Sequence, residues 1–544
     1  MRIFLCLLGL LIALALNAQQ YPQAYGFGTS GEEYGLRIAV DEEGNVYTAG
    51  GYESTIDFGN GKTLSANGSP AVGLYIAKHN AQGEVQWVVN GGTDHEELFY
   101  LGLDTSGNVY VSGSFLGTQT YGPNTFTTMP NESNDNFIMK IQSDGVVAWS
   151  RHIRGPDHEH IQGMSVAENG DIYVSGFFDA TFTFEGTTFV NKGNSDIFVM
   201  KFDTDNNFIW GIANGSTGLD WPWDVAIDNK GNLYLTGQFS TSFNWDTEAV
   251  SHIDGEDILV VKMSAADGSV IYAKSYGGTS ADQGKGIATD QQGNVFVSGF
   301  FSDALSFGAT QLLTSGSTDG FVFKLDENGN YLWGNAFGGN VTDSWIVPPV
   351  VDQYGNVYVG GSLNRDVVAG GITFTNTGSR DAFVGKYLSD GSFERGLMIG
   401  GTRLDQLGGM AVNEAGKMWV TGRYTSASFT LGTHTLTNAG SNSPDVFMVE
   451  VGEFATGLAP TTVNDLGVWL FPNPAEGYIT IKHPAQFTGS VAIVDCLGRV
   501  IRELEVLENE QTLPIAYLKP GTYYLKVEQN EGAIGYYRFI KSAR

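Results

Sequence analysis

Cysteine is nearly absent from this chain: Cys6 and Cys496 are the two in 544 residues. Cys6 sits in an apolar leader, and one remaining thiol cannot form an internal disulfide, so stability has to come from packing. Basic residues are also scarce, with 29 Lys and Arg against 59 Asp and Glu and a net charge of -30. Such a polyanion repels nucleic acid and anionic membrane, which excludes both as partners by default. Charged residues of all kinds amount to only 16% beside 42% hydrophobic, too few for wholesale disorder and enough apolar surface for a large core. Past the leader, no run of 18 apolar residues occurs, so no membrane-spanning helix is expected.

The leader has a recognisable form. Met1-Arg2, an apolar run over 3–16 and Asn17-Ala18-Gln19 match a secretory signal peptide over 1–18, with cleavage after Ala18. Because Cys6 lies upstream of that cut, the mature terminus is not lipid-modified on cysteine.

What the chain has in abundance is repetition. The stretch DQQGNVFVSG at 290–299 recurs with anchors at Asp41, Asp104, Ala167, Asp228, Asp290, Asp352 and Asn413, spaced by 63, 63, 61, 62, 62 and 61 residues. Three positions on, every copy has glycine, as a hairpin turn needing positive φ requires. An alternating strand follows, with an aromatic second residue in each copy (Tyr47, Tyr110, Tyr173, Tyr234, Phe296, Tyr358, Trp419). Before each turn another strand carries a mostly small residue, such as Ala39, Ser165 or Ala288, suited to strands converging on an axis. The second half of each unit reads Asp, apolar run, Lys, as in DIFVMK at 196–201, then a turn and a further strand often bearing Trp (Trp87, Trp149, Trp210, Trp333).

Four antiparallel strands repeated seven times without helices predict an all-β fold, a seven-bladed β-propeller over 21–452. The seventh unit lacks its fourth strand, and 21–31, YPQAYGFGTSG, resembles the fourth-strand segment EVQWVVNGGT at 84–93. The N-terminal strand is therefore expected to complete the last blade and close the ring, which removes the open sheet edge. The units, DxxGNxYVxG followed by DxFVxKxDxxGxxxW, resemble the bacterial surface β-propeller repeat family. That family is functionally mixed, so the resemblance implies architecture and no chemistry.

Composition changes after 452. Residues 453–464 read as a linker, and 465–544 as a small β-sandwich opening with VWLFPNPAEGYITIKH and ending in PGTYYLKVEQ and GYYRFIKSAR. Pro472, Asn473, Pro474 and Ala475, the strand 521–527 and the closing strand 537–541 are similar to the C-terminal sorting domain of the Bacteroidota type IX secretion system. This resemblance implies transit across the outer membrane by the type IX machinery, and a secreted or outer cell-surface location.

Candidate chemistry lies in the loops. An acidic residue stands ahead of each innermost strand, at Glu33, Asp94, Asp157, Asp220, Asp282, Asp343 and Asp405. At the channel mouth, seven carboxylates favour a cation such as calcium, or a polyhydroxylated sugar. Alternatively each caps loop amides at a blade junction, and recurrence in every blade favours that structural role. Asp157, His158 and His160 form a weaker metal candidate without a recognised ligand spacing. Trp221 and Trp223 flank Pro222 beside Asp220, a pattern suited to stacking on sugar rings or to plugging the channel.

No nucleophile elbow, phosphate loop, Asp-box or recurring arginine cluster is present. The expectation is a non-catalytic binding or scaffold protein for a glycan or surface-protein ligand, with calcium as an optional ion and no other cofactor. A carbohydrate-active hydrolase or lyase using the acidic channel mouth, and a structural surface-layer protein, are the alternatives.

Overall fold

The computed structural model describes residues 21–541 except 67–71, 94–97, 129–133, 156–158, 342–344, 441–442, 453–468, 472–476, 483–488, 496–499, 505–509, 520 and 530–533. The signal peptide, the linker, the 472–475 motif and Cys496 lie outside the described residues. Residues 21–452 form one compact unit and the described residues beyond 453 belong to another.

The turn chemistry explains why the repeats form sheets. In the DxxGN turn, Asp290 Oδ1 accepts the Asn294 amide at 2.9 Å and Oδ2 accepts Asn294 Nδ2 at 2.7 Å, while Gly293 adopts φ +85°. The same carboxylate pattern recurs at Asp41, Asp104, Asp228 and Asp352, where the second oxygen also accepts the tyrosine hydroxyl two residues past the asparagine. Each Asp thus clamps a loop that would otherwise leave amides unsatisfied.

The lysine closing the third strand lies over the aromatic residue of the second, at 4.7 Å for Lys324 over Phe296 and 5.0 to 5.3 Å for Lys78, Lys140, Lys201, Lys262 and Lys386 over tyrosine. Lys324 also pairs with Asp290 at 3.3 Å, both nearly buried. The last repeat inverts this arrangement. Glu450 stands at the lysine position, and Lys417, from the turn, supplies the cation over Trp419 at 5.4 Å and pairs with Glu450 at 3.5 Å.

Seven antiparallel sheets of this kind follow one another. The first comprises Glu33–Val40, Val46–Glu53, Val72–His79 and Val85–Thr93, and the fourth comprises Asp220–Ile227, Asn232–Phe239, Asp257–Ser264 and Val270–Tyr276. The seventh pairs Asp405–Val412, Met418–Tyr424 and Asp445–Val451 with the N-terminal Gln23–Phe27, in the register Gln23 to Glu450 through Phe27 to Val446. In most units a short two-stranded hairpin projects between the second and third strands, for example Phe182–Phe184 with Thr187–Phe189. Fourth-strand tryptophans tie one sheet to the next: Trp87 donates to the Ser143 carbonyl at 3.0 Å and Trp333 to the Ser389 carbonyl at 3.1 Å.

The buried clusters each draw on two neighbouring sheets, as where Tyr173 and Ile197 of the third pack with Leu233, Phe239 and Trp245 of the fourth. Each innermost strand packs against the innermost strand of the next sheet, and Glu33–Val40 packs against both Leu98–Leu103 and Asp405–Val412.

The C-terminal unit contains two sheets. Trp469–Phe471, Tyr478–Lys482 and Glu510–Pro514 form one, and Val500–Leu504, Gly489–Asp495, Gly521–Gln529 and Ile534–Lys541 form the other. Ile479, Ile481, Leu513, Val491, Ile493 and Leu525 from the two sheets share one core, as expected of a sandwich.

Replacing Asp290 with Ala removes the turn clamp and leaves Lys324 nearly buried without its partner, which costs about 3 kcal/mol. Urea denaturation should show a clear fall in midpoint for Asp290→Ala and a smaller one for Asp203→Ala, whose turn has the same hydrogen bonds without a paired lysine.

Candidate functional site

Every innermost strand is interrupted by a β-bulge. The register jumps between Gly35 and Arg37, Leu98 and Tyr100, Ile161 and Gly163, and Pro222 and Asp224 in the first four sheets. It jumps between Gly284 and Gly286, Val347 and Val350, and Leu407 and Gly409 in the other three. The residue left unpaired at the cavity is Leu36, Phe99, Gln162 and Trp223 in turn, then Lys285, Pro348 (followed by Pro349, also unpaired) and Gly408. All seven line one cavity of about 880 Å³ running between the innermost strands. A bulge re-aims a side chain that regular pairing would direct elsewhere. Here each sheet uses it to turn one residue into the channel, and no two sheets use the same residue type.

On one side the wall residues Phe99, His160 and Trp223 are linked through a series of rings in which Phe177 and Trp221 stand behind the wall. The Phe99 and His160 rings meet edge to face at 4.7 Å, His160 stacks on Phe177 at 5.4 Å, Phe177 on Trp221 at 5.0 Å, and Trp221 meets Trp223 edge to face at 6.1 Å. Trp223 is held by donation from Nε1 to Gln238 Oε1 at 2.8 Å. Lys285 continues the arc, with Nζ 3.0 Å from the Trp223 ring centroid and 5.2 Å from that of Phe300. Burial lowers the Lys285 ammonium to about 7 against a weak opposing pull from Glu256. Elsewhere around the channel lie Tyr34, Arg37, Gln406, Arg423 and Trp345, the last half-exposed.

The acidic candidates are placed differently from the sequence expectation. Glu33, Asp220, Asp282 and Asp405 are fully buried and line no part of the channel. Loop donors converge on them instead. Asp405 accepts from the amides of Gly401 at 2.6 Å, Thr425 and Ser426, and from Ser426 Oγ at 2.7 Å. Asp282 accepts from the Gly278 and Ser302 amides, Asp220 from the Ser216 amide and hydroxyl, and Glu33 from Thr29 Oγ1. Orphan amides in a buried loop are costly, and these carboxylates satisfy them.

In the third sheet, Glu159 faces Phe178 in the register that Asp220 and Asp282 take with Phe239 and Phe301, so Glu159 and not Asp157 occupies that position. Asp94, Asp157, His158 and Asp343 lie outside the described residues. His160 packs between phenylalanine rings, and among the described residues no three carboxylate, imidazole or thiol groups converge as a metal site. Trp223 lines the channel, while Trp221 supports it from behind through Phe177.

Each buried acid also neighbours the aspartate that opens the third strand: Asp282 feels Asp257, Asp220 feels Asp196, and Glu33 feels Asp445. A Cβ on Gly277 would collide with Asp257 Oδ1, so the backbone there approaches the carboxylate as only glycine permits. Burial first, and these like charges after it, push Asp220 up to about 6 and Asp282 and Glu33 up to about 7.

Residues 469–541 match the family model of the Secretion system C-terminal sorting domain. The C-terminal unit is a type IX secretion sorting domain. Residues 271–299 match the Beta-propeller repeat. The chain therefore carries a β-propeller repeat and a type IX sorting domain, which directs a protein to the outer cell surface or beyond it. No helix among the described residues is long and apolar enough to cross a membrane.

A WD repeat-containing protein of Acanthamoeba polyphaga mimivirus is 24% identical over 238 residues, 36% of this chain and 17% of that protein. The regulatory protein FlaEY of Caulobacter vibrioides is 23% identical over 391 residues, 70% of this chain and 35% of that protein. The chain thus spans well under half the length of these relatives. Among solved structures, quinohemoprotein alcohol dehydrogenase from Comamonas testosteroni aligns at TM-score 0.40 and 10% identity over 85% of this chain and 80% of that one.

Arg37, Lys285, Arg423 and Phe300 were not singled out from the sequence. The bulge itself leaves no residue signature, but a fixed interval of eight from acid to anchor, as between Asp220 and Asp228 or Asp282 and Asp290, points to Glu159 ahead of Ala167.

The raised carboxyls set a pH dependence. Between an unfolded value near 4 and a folded value near 7, the folded chain holds protons that the unfolded chain has released, so stability falls as pH rises through this window and levels off above it. The melting temperature should therefore be higher at pH 5 than at pH 8, and Asp282→Asn should flatten the profile.

Proposed function

We propose that the seven sheets close as a seven-bladed propeller and that its channel is a binding site for an exported glycan- or protein-recognition module. Two observations support closure: the innermost strands pack in sequence with the first against the last, and Gln23–Phe27 supplies the outer strand of the seventh sheet. Pairing the two ends of the repeat region in one sheet removes a free edge and binds the first repeat to the last.

The observation that carries the binding reading is the bulge. The turns, the lysine-aromatic pairs and the buried acids recur from sheet to sheet, whereas the bulged residue differs in each and faces the cavity. Shared positions build the scaffold, and a ligand is read by positions that are free to differ. A concave wall with aromatic surface and a few polar groups suits an extended ligand with flat apolar faces. Among the described acids, Glu33, Asp220, Asp282 and Asp405 are engaged by their own loops, which favours binding over a carboxylate-driven chemistry in the channel.

Two measurements test this. Deleting residues 21–27 from the mature chain should lower the urea midpoint and broaden the transition, and an unchanged midpoint would contradict closure. Titrating oligosaccharide and peptide panels by calorimetry should give a ligand whose affinity falls about 30-fold in Trp223→Ala, as for a central aromatic contact. Leu313→Ser, on an outer hairpin, should leave it unchanged. The reverse ranking would move the site off the channel.

A further inference from the structure

We propose that the channel takes an anionic glycan, a sugar polymer bearing carboxylate or sulfate groups, with sugar faces on Trp223 and Phe300 and the charge between Lys285, Arg37 and Arg423. This rests on the channel being the binding site and adds the class of ligand.

The argument is one of local charge against the charge of the whole. The chain carries -30. The cavity wall inverts that balance, with three cations, Arg37, Lys285 and Arg423, and one carboxylate, Asp224. Asp224 is engaged already: its oxygens accept the Val225 and Ile287 amides at 2.9 Å, and burial pushes its carboxyl up to about 7. Among the described residues neither Lys285 nor Arg423 forms an ion pair, and Arg423 is held by donation from Nε to Gln406 Oε1 at 2.6 Å. Arg37 is oriented through donation to the Phe99 and Leu36 carbonyls.

A half-buried ammonium among rings is destabilised relative to water, and a ligand anion would return what its surroundings withhold. The rings beside it favour a ligand with apolar faces at the same spacing as its charge, which suits a sugar acid better than a compact inorganic anion.

Lys285 also gives the interaction a pH signature. Its Nζ faces the uncharged Trp223 and Phe300, with Glu256 the one charged group acting on it, while Tyr34, Arg37, Tyr100, His160, Asp224 and Arg423 line the rest of the cavity. A bound anion favours the protonated amine, so above about pH 7 binding takes up a proton and affinity falls by up to about tenfold per pH unit.

Calorimetry of the mature protein with oligogalacturonates and their methyl esters, and with a sulfated oligosaccharide and its desulfated form, at pH 6.5 and 8.5, tests the proposal. The expected result is binding of at least one charged form, weakened about tenfold or more in its neutral counterpart and in Lys285→Gln. Affinity should drop between the two pH values in the wild type and stay flat in Lys285→Arg. Thermal melts of Lys285→Gln should show no loss of stability, which separates lost binding from lost fold. Equal binding of charged and neutral forms would overturn the anionic assignment and leave the channel reading standing. Binding of an acidic peptide but of no sugar would overturn the glycan. No binding of any probe would overturn both.

Discussion

In five of the seven sheets the register depends on one carboxylate in the turn, at Asp41, Asp104, Asp228, Asp290 and Asp352. The aspartate of the DxxGN turn accepts the amide and side chain of the asparagine four residues on and, in most sheets, a tyrosine hydroxyl, and in the fifth sheet it pairs closely with the lysine of the third strand. Three strands are thereby referred to one group. Shifting any of them by one residue would move every side chain to the opposite face, so a fixed turn fixes the packing between sheets. The seventh sheet shows that the requirement is electrostatic rather than tied to residue type: asparagine replaces the aspartate, and the lysine and its acid exchange places.

In four of the sheets the other end of the innermost strand is held by a second carboxylate, Glu33, Asp220, Asp282 or Asp405, buried against loop donors. Along this strand there is one residue more than its neighbour accommodates, and the excess is expelled as a bulge toward the cavity. On the proposed reading, ligand contact falls to that residue and to those beside it, because the ends of the strand are committed to structure. It also accounts for a channel wall whose charge opposes that of the chain: the acids are consumed in the scaffold, and Lys285, Arg37 and Arg423 are what the channel is left with.

Most of the architecture was legible. Anchor spacing, the invariant turn glycine and the aromatic second position announced repeating four-stranded units, and the unpaired last repeat pointed to the N-terminal strand that is found on Asp445–Val451. The sorting domain was legible because its motifs are local. The site was less so, for physical reasons. Aspartate ahead of a strand has the same appearance whether its oxygens face water or backbone amides, and burial decides which. Glu159 was passed over for Asp157 because the interval to the turn, which register enforces, was allowed to vary. Lys285 looked like one surface lysine among others, since a bulge is a property of two paired strands and neither alone records it. Trp223 was a candidate from the sequence, whereas Lys285, which lies over its ring from the next sheet, was not.

The central claim is that the bulged residues form the ligand site. A crystal structure of the secreted protein soaked at pH 6.5 with an acidic oligosaccharide tests it most directly. The account predicts density in the channel, with a sugar ring against Trp223 and an acid group within hydrogen-bonding reach of Lys285 or Arg423. Density confined to the outer hairpins, or at the buried carboxylates, would contradict it.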